Sequence, residues 1–186
     1  MIHTLLGRQG GGKSIYAVAC AYAEWTKGRT IYSNIWLNFP FKPIVLADII
    51  DCKLYNGVVL IDEVHRLLPS RNSNSTTSRK IVDGFLSLSR KAKLDIYGMT
   101  QLEEKVDRRF RGETDIMYSC ERKVYDPVTK TFEVVLHNKM LDKNIPVAIF
   151  VKFEDMINHT SGELRFLAND LYSLYDSEEI VKIVGL

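Results

Sequence analysis

The densest chemistry in the chain lies near its start, where GRQGGGKS (7–14) satisfies the spacing G-x-x-x-x-G-K-S at every fixed position. Glycines let a backbone curl until several N–H groups converge, which makes an anion nest at the start of a helix. The segment Gly7, Arg8, Gln9, Gly10, Gly11, Gly12, Lys13, Ser14 and Ile15 is therefore expected to cradle the phosphates of ATP. Lys13 would reach the β- and γ-phosphates, and the Ser14 hydroxyl would ligate Mg²⁺.

A second centre is VVLIDE (58–63), an apolar run that ends in two carboxylates. Asp62 is expected to hold Mg²⁺ through water, and Glu63 to orient and deprotonate the water that attacks the terminal phosphate. Transfer to a bound hydroxyl would need no such glutamate, so the adjacent pair favours hydrolysis. The competing reading of Glu63 is an acidic residue favoured by the dipole at a helix start. LDIYGMTQ (94–101) supplies a third group. The Gln101 amide can donate to a phosphate and accept from water, so it is a candidate sensor of hydrolysis; the alternative is a cap for the segment that follows.

These residues need strands and helices to hold them. IHTLL (2–6) is a short apolar run bounded by glycine, and the apolar positions from Ser14 to about Lys27 recur at helical spacing before Gly28. RTIYSNIWL (29–37) reads as one strand, and a weak helix follows the prolines near 47–51. GVVLIDE (57–63) has the continuous apolar character of a central parallel strand covered on both faces. PSRNSNSTTS (69–78) is a polar loop, and a helix is expected over Arg79–Lys91. In a parallel sheet the 94–101 strand would lie beside the Asp62 strand, bringing Gln101 within reach of the γ-phosphate.

After Arg111 the pattern changes. IMYSCERKVY (116–125), the turn DPVTK (126–130) and TFEVVLHNKML (131–141) form an expected antiparallel hairpin, with IPVAIFV (145–151) as a further strand. LYSLYDSEEIVKI (171–183) is expected to turn helical from Ser177. The organisation is one domain over 1–186, with a nucleotide-binding core (1–111) and a β-hairpin and C-terminal helical part (112–186).

With 46% hydrophobic and 26% charged residues, the chain has the balance of a folded domain and not of a disordered one. A formal charge of +2 excludes a protein coated in positive charge, so a polyanion would be held by a local patch. Candidates are Arg71, Arg79 and Lys80 after the carboxylate strand, and Lys105, Arg108, Arg109 and Arg111 after the Gln101 strand; solvated surface loops are the alternative. Trp25, Trp36, Tyr172 and Tyr175 lack interleaved basic residues and are expected in the core or an interface. His65 has no metal-ligand partner at suitable spacing and is expected to pack or hydrogen-bond near the site. Cys20, Cys52 and Cys120 fit reduced core or near-core thiols. No run has the length of a membrane span and no signal-peptide layout opens the chain, so a cytoplasmic location is expected.

Strand–GxxxxGKS, strand–DE and strand–TQ, in this order, resemble the FtsK–HerA superfamily of DNA-pumping ATPases. Within it the sequence is most similar to zonula occludens toxin-like and viral assembly or packaging ATPases. GRTIYSNIWL (28–37), IDEVHRLLPSR (61–71), SRKAKLDIYGMTQ (89–101) and LYDSEE (174–179) carry that similarity. It covers 1–111 well and the remainder loosely. The resemblance implies an α/β P-loop NTPase with a RecA-like, mainly parallel sheet flanked by helices and a C-terminal antiparallel β appendage. It further implies a homo-oligomeric ring, often a hexamer, with ATP at subunit interfaces and an arginine supplied by the neighbour. Arg90 is the preferred finger, with Arg109 and Arg111 as rivals. The implied function is an ATP-driven DNA translocase for viral genome packaging or virion assembly, in the host cytoplasm or the virion, with a capsid or membrane-docking protein as partner. Alternatives are a filamentous-phage-type assembly or extrusion ATPase, a small-molecule kinase, or a nucleotide-switched docking module. Filamentous-phage assembly members carry a membrane span that this sequence lacks, which shifts weight to the packaging reading.

Overall fold

The computed structural model describes residues 1–68, 76–134 and 145–180. Its centre is built from the apolar runs. β1 (Ile2–Leu6), β5 (Gly57–Ile61) and β6 (Leu94–Thr100) are almost wholly buried, and β5 is buried at every position. Side chains alternate across a strand, so Val59, Ile61, Leu94 and Ile96 meet one layer of helices while Val58, Leu60, Tyr97 and Met99 meet another. The first layer holds α2 (Leu46–Ile50), α3 (Val64–Leu67), α4 (Thr76–Lys91) and α5 (Arg108–Gly112). The second is built on α1 (Lys13–Trp25), through Ile15, Val18 and Ala21.

Among the described residues nine strands share the main sheet, in the order β10-β9-β7-β1-β6-β5-β2-β4, with β8 on β7. Here β2 is Thr30–Ser33, β4 Lys42–Pro43, β7 Ile116–Asp126, β8 Thr131–Val134, β9 Val147–Asp155 and β10 Thr160–Leu167. From β7 through β1, β6, β5 and β2 to β4 all neighbours are parallel, while β8, β9 and β10 add antiparallel pairs. The expected mainly parallel α/β sheet with an antiparallel C-terminal part is thus observed, and β5 and β6 are neighbours.

The junction of the two parts positions the site. One edge of β7 pairs with β9 from Ile116 to Val124. Among the described residues the other edge pairs with β1 as far as Ser119 and with β8 from Lys123. Within those residues Cys120 to Arg122 face a notch between β1 and β8, which the loop leaving β1 enters beside the Cys120 carbonyl.

Several elements differ from expectation. RTIYSNIWL is not one strand: the Ser33 hydroxyl bonds the Ile35 backbone at 2.8 and 2.9 Å, kinking the chain at Asn34. β3 (Ile35–Leu37) then leaves the main sheet and pairs with β11 (Tyr175–Ile180). That pairing also overturns the helix expected from Ser177, because strand partners outweigh a local helix-start signal. β10 had no sequence signal assigned to it. The 69–78 loop falls partly outside the described residues, and α4 already begins at Thr76. Residues 135–141 of the expected hairpin and 181–183 of the expected helix also lie outside them. Cys52 is exposed, unlike half-buried Cys20 and buried Cys120, so it is no core thiol. Trp25 and Tyr175 pack against the α1 layer, whereas Trp36 and Tyr172 are exposed. Among the described residues no helix is long and apolar enough to cross a membrane.

Candidate active site

The loop Gly7–Gly12 joins β1 to α1 and is closed by the Gly11 N–H donating to the Arg8 carbonyl at 2.9 Å. Two glycines are required by their surroundings. A Cβ on Gly7 (φ 150°) would lie 2.5 Å from the Cys120 carbonyl oxygen, and one on Gly12 (φ 97°) would lie 2.5 Å from Ile149 Cδ1. Arg8, Gln9 and Gly10 are exposed at the mouth of the loop, and Ile15 is buried in the core, so only its backbone faces the site.

Lys13 folds back over the loop, its Nζ donating to the Gly7 and Arg8 carbonyls at 2.9 and 3.1 Å. It is 6% exposed. Burial pulls its pKa down, and the nearby Asp62 and Glu63 carboxylates oppose that shift. Ser14 opens the first turn of α1, and its hydroxyl makes no hydrogen bond among the described residues.

Across from the loop, Asp62 follows β5. Asn34 clamps its backbone, accepting from the Asp62 N–H at 2.7 Å and donating to its carbonyl at 3.1 Å. One Asp62 oxygen accepts from the Glu63 N–H at 2.9 Å. Burial pushes the Asp62 pKa up, the adjacent Glu63 pushes the same way, and Lys13 counters. Glu63 adopts φ 53°, a left-handed conformation rare for a non-glycine residue and found at functional strain points. Its side chain makes no cap to the four-residue α3. Instead Gln101 Nε2 donates to Glu63 Oε1 at 3.2 Å, and His65 Nε2 lies 3.3 Å from Oε2. His65 Nδ1 is in turn 3.3 Å from Thr100 Oγ1.

Four of the expected residues therefore share one edge of the sheet: Lys13, Asp62, Glu63 and Gln101. His65 hydrogen-bonds beside them. Asn34 was not singled out from sequence; the signal was an amide residue interrupting a β-branched run. The arginines lie apart. Arg90 is 67% exposed on α4 and paired with Glu113. The Arg109 guanidinium binds the buried Asp107 at 3.1 Å, and Arg111 donates to the Val106 carbonyl at 3.1 Å. Arg79, Lys80, Lys105 and Arg108 are exposed; Arg71 lies outside the described residues.

The donor set suits a hard divalent cation. An unbonded hydroxyl at Ser14 and a half-buried carboxylate at Asp62, its pKa raised by burial and by the adjacent Glu63, offer oxygen ligands while leaving positions for water and phosphate. Among the described residues no cluster of three His, Cys, Asp or Glu side chains forms a self-sufficient metal cage. Beside Gly7–Gln9 a recess of about 580 Å³ is walled by β7, β9 and β10, with Arg122, Lys123, Phe150 and Lys152 among its lining residues.

The chain resembles solved structures over most of its length. The N-terminal domain of zonular occludens toxin from Neisseria meningitidis superposes with a TM-score of 0.62 at 18% identity, covering 94% of this chain and 98% of that one. The genome packaging NTPase of Sulfolobus turreted icosahedral virus 2, in complex with ATP-gammaS, gives 0.56 at 14% identity over 87% of this chain and 95% of that one. The DNA-packaging ATPase of Sulfolobus turreted icosahedral virus gives 0.52 at 17% identity, covering 87% and 95%. At such identities the likeness establishes the fold, that of P-loop NTPases. Comparison with curated protein sequences finds no match. The family model for zonular occludens toxin (Zot) matches residues 41–154, a span that includes Asp62, Glu63 and Gln101. With more than half of its length matched by that model, the chain belongs to the zonular occludens toxin (Zot) family.

Proposed function

We propose that the chain is a Mg²⁺-dependent ATPase whose hydrolysis drives DNA translocation in viral genome packaging or virion assembly. The carrying observation is the 3.2 Å hydrogen bond from Gln101 to Glu63, on the sheet edge that bears Asp62 and the phosphate loop. Glu63 accepts the proton of the attacking water as the water's oxygen bonds to the terminal phosphorus, while the bond from that phosphorus to the bridging oxygen breaks and its electron pair leaves with ADP. Gln101, from the neighbouring strand, holds that carboxylate in place and registers the loss of the terminal phosphate. Lys13 is already desolvated, and its ammonium exchanges the Gly7 and Arg8 carbonyls for phosphate oxygens when nucleotide binds. Mg²⁺, held by Ser14 and through water by Asp62, would supply neutralisation and orientation of the phosphate oxygens.

A ring with the active site at subunit boundaries fits the exposed Arg90, which has room to reach a neighbour, better than Arg109 or Arg111, which are bonded within their own fold. The exposed Arg79 and Lys80, and Lys105 and Arg108, follow the two site strands and are positioned in sequence to grip DNA phosphates. The packaging and NTPase roles of the viral structural relatives support the same reading.

Glu63→Gln tests it. Affinity for a fluorescent ATP analogue should persist, while turnover should fall by about 10²- to 10⁴-fold and no longer respond to duplex DNA. Unchanged turnover in this variant, or no Mg²⁺-dependent turnover in the parent protein, refutes the proposal. The family match favours a second reading, a filamentous-phage-type assembly or extrusion ATPase, which would show hydrolysis without displacement of a triplex-forming strand from duplex DNA.

A further inference from the structure

Strand β7 carries a charge that this hydrolytic scheme leaves unused. Side chains alternate along a strand, so Glu121 and Lys123 share one face, where they pair at 3.2 Å, and Lys123 also covers the Phe150 ring at 4.4 Å. Arg122 points to the opposite face. Its Nε is buried without a hydrogen-bond partner, and among the described residues its guanidinium forms no ion pair. Buried donors are almost always satisfied, because leaving one unpaired costs the full desolvation of the group. A half-buried arginine with matched neighbours, and with no hydrogen-bond or ion-pair partner among the described residues, therefore points to a missing anion.

Topology says where that anion belongs. Among the described residues Arg122 lies in the stretch of β7 that pairs with neither β1 nor β8, alongside the glycine loop. A methyl group on Gly10 would stand 3.9 Å from Arg122 Nη2. The geometry points to Arg122 as a phosphate ligand supplied by the same subunit: its guanidinium donates to the non-bridging oxygens of the bound nucleotide's polyphosphate, on the side of the loop opposite Asp62 and Glu63. This deepens the nucleotide-site reading and rests on it. β7, the strand that joins the parallel and antiparallel parts of the sheet, thereby gains a chemical role, since it delivers a second cation to a loop that Lys13 enters from the helix.

The test combines nucleotide affinity with the stability of the free protein in the parent chain, Arg122→Met, Arg122→Lys and Lys13→Ala. Fluorescent ATP and ADP analogues should bind Arg122→Met about 10- to 100-fold more weakly, the range for charge-assisted contacts, and Arg122→Lys should recover part of the loss. The nucleotide-free thermal midpoint of Arg122→Met should hold or rise, because a half-buried arginine whose Nε is buried without a partner gives way to an apolar side chain. A lowered midpoint with unchanged affinity would mark a purely structural arginine and overturn the inference. If both fall, Arg122→Lys decides: recovered affinity supports the contact, and recovered stability alone overturns it. Loss of binding in Lys13→Ala with none in Arg122→Met leaves the nucleotide site standing and sinks Arg122. Failure of the parent protein to bind either analogue overturns both.

Discussion

Replacing Gly12 by alanine probes whether the C-terminal strands brace the phosphate loop. Gly12 caps α1 at φ 97° and ψ 10°, where a Cβ costs about 1–2 kcal/mol. The new methyl would also sit 2.5 Å from Ile149 Cδ1 and 3.0 Å from its Cγ2. Ile149 is 0% exposed, with no open space to retreat into, so overpacking adds about 1–3 kcal/mol. The summed loss is about 2–5 kcal/mol. A double-mutant cycle separates the parts. Ile149→Val deletes the closest clashing carbon and by itself costs about 0.5–1.5 kcal/mol. Independent sites would add to within about 0.5 kcal/mol, whereas direct contact makes Gly12→Ala about 1 kcal/mol less costly in the valine background. Urea unfolding of the nucleotide-free protein, read as midpoints at constant slope, measures the difference. An additive cycle would mean that β9 does not press on the loop, and the picture of a loop lodged in a β7 notch would fail.

Two pH-dependent predictions accompany it. Burial raises the Asp62 pKa, so its ionised form weakens the free folded protein at neutral pH. Asp62→Asn keeps an oxygen to accept the Glu63 N–H; its thermal midpoint should exceed the parent's at pH 7, with the gap closing as pH falls through the raised pKa and the parent's carboxyl becomes neutral too. A lower midpoint at pH 7 would contradict this. Asp95 behaves oppositely: burial pushes its carboxyl up, but contacts from His3, Arg29 and the N-terminal ammonium outweigh that and hold it well below the usual carboxylate range. Its contribution is therefore complete above the unfolded value of about 3.9 and is lost as pH falls through the folded one. Asp95→Asn should cost about 1.5–3 kcal/mol at pH 7 in urea unfolding, the worth of hydrogen bonds to charged groups, and the deficit should narrow only below about pH 4. A deficit independent of pH down to 2 would assign it to packing.

Contiguous residues carried the candidate site. Glycine spacing, Lys13 and Ser14, the carboxylate pair closing β5 and Gln101 closing β6 are each local signals. A strand end, a loop and the first turn of a helix require no distant partner to be recognised. The continuous apolar runs likewise specified central strands, because burial on both faces leaves no polar alternation. Tertiary structure decided what depended on pairing across the chain. Nothing in RTIYSNIWL announced that Ser33 would divide it between two sheets, and Ser177-Glu178-Glu179 reads as a helix start until β3 offers its open edge. Asn34 acquires its role only because β2 lies beside β5, which sets its amide against the Asp62 backbone. In the sequence Arg122 is one charge within IMYSCERKVY. Its meaning came from β7 running parallel to β1 and rising past it, which carries a side chain more than one hundred residues away in sequence to the glycine loop. Strand register between distant segments depends on which faces and edges remain to be covered, and only the assembled sheet presents those.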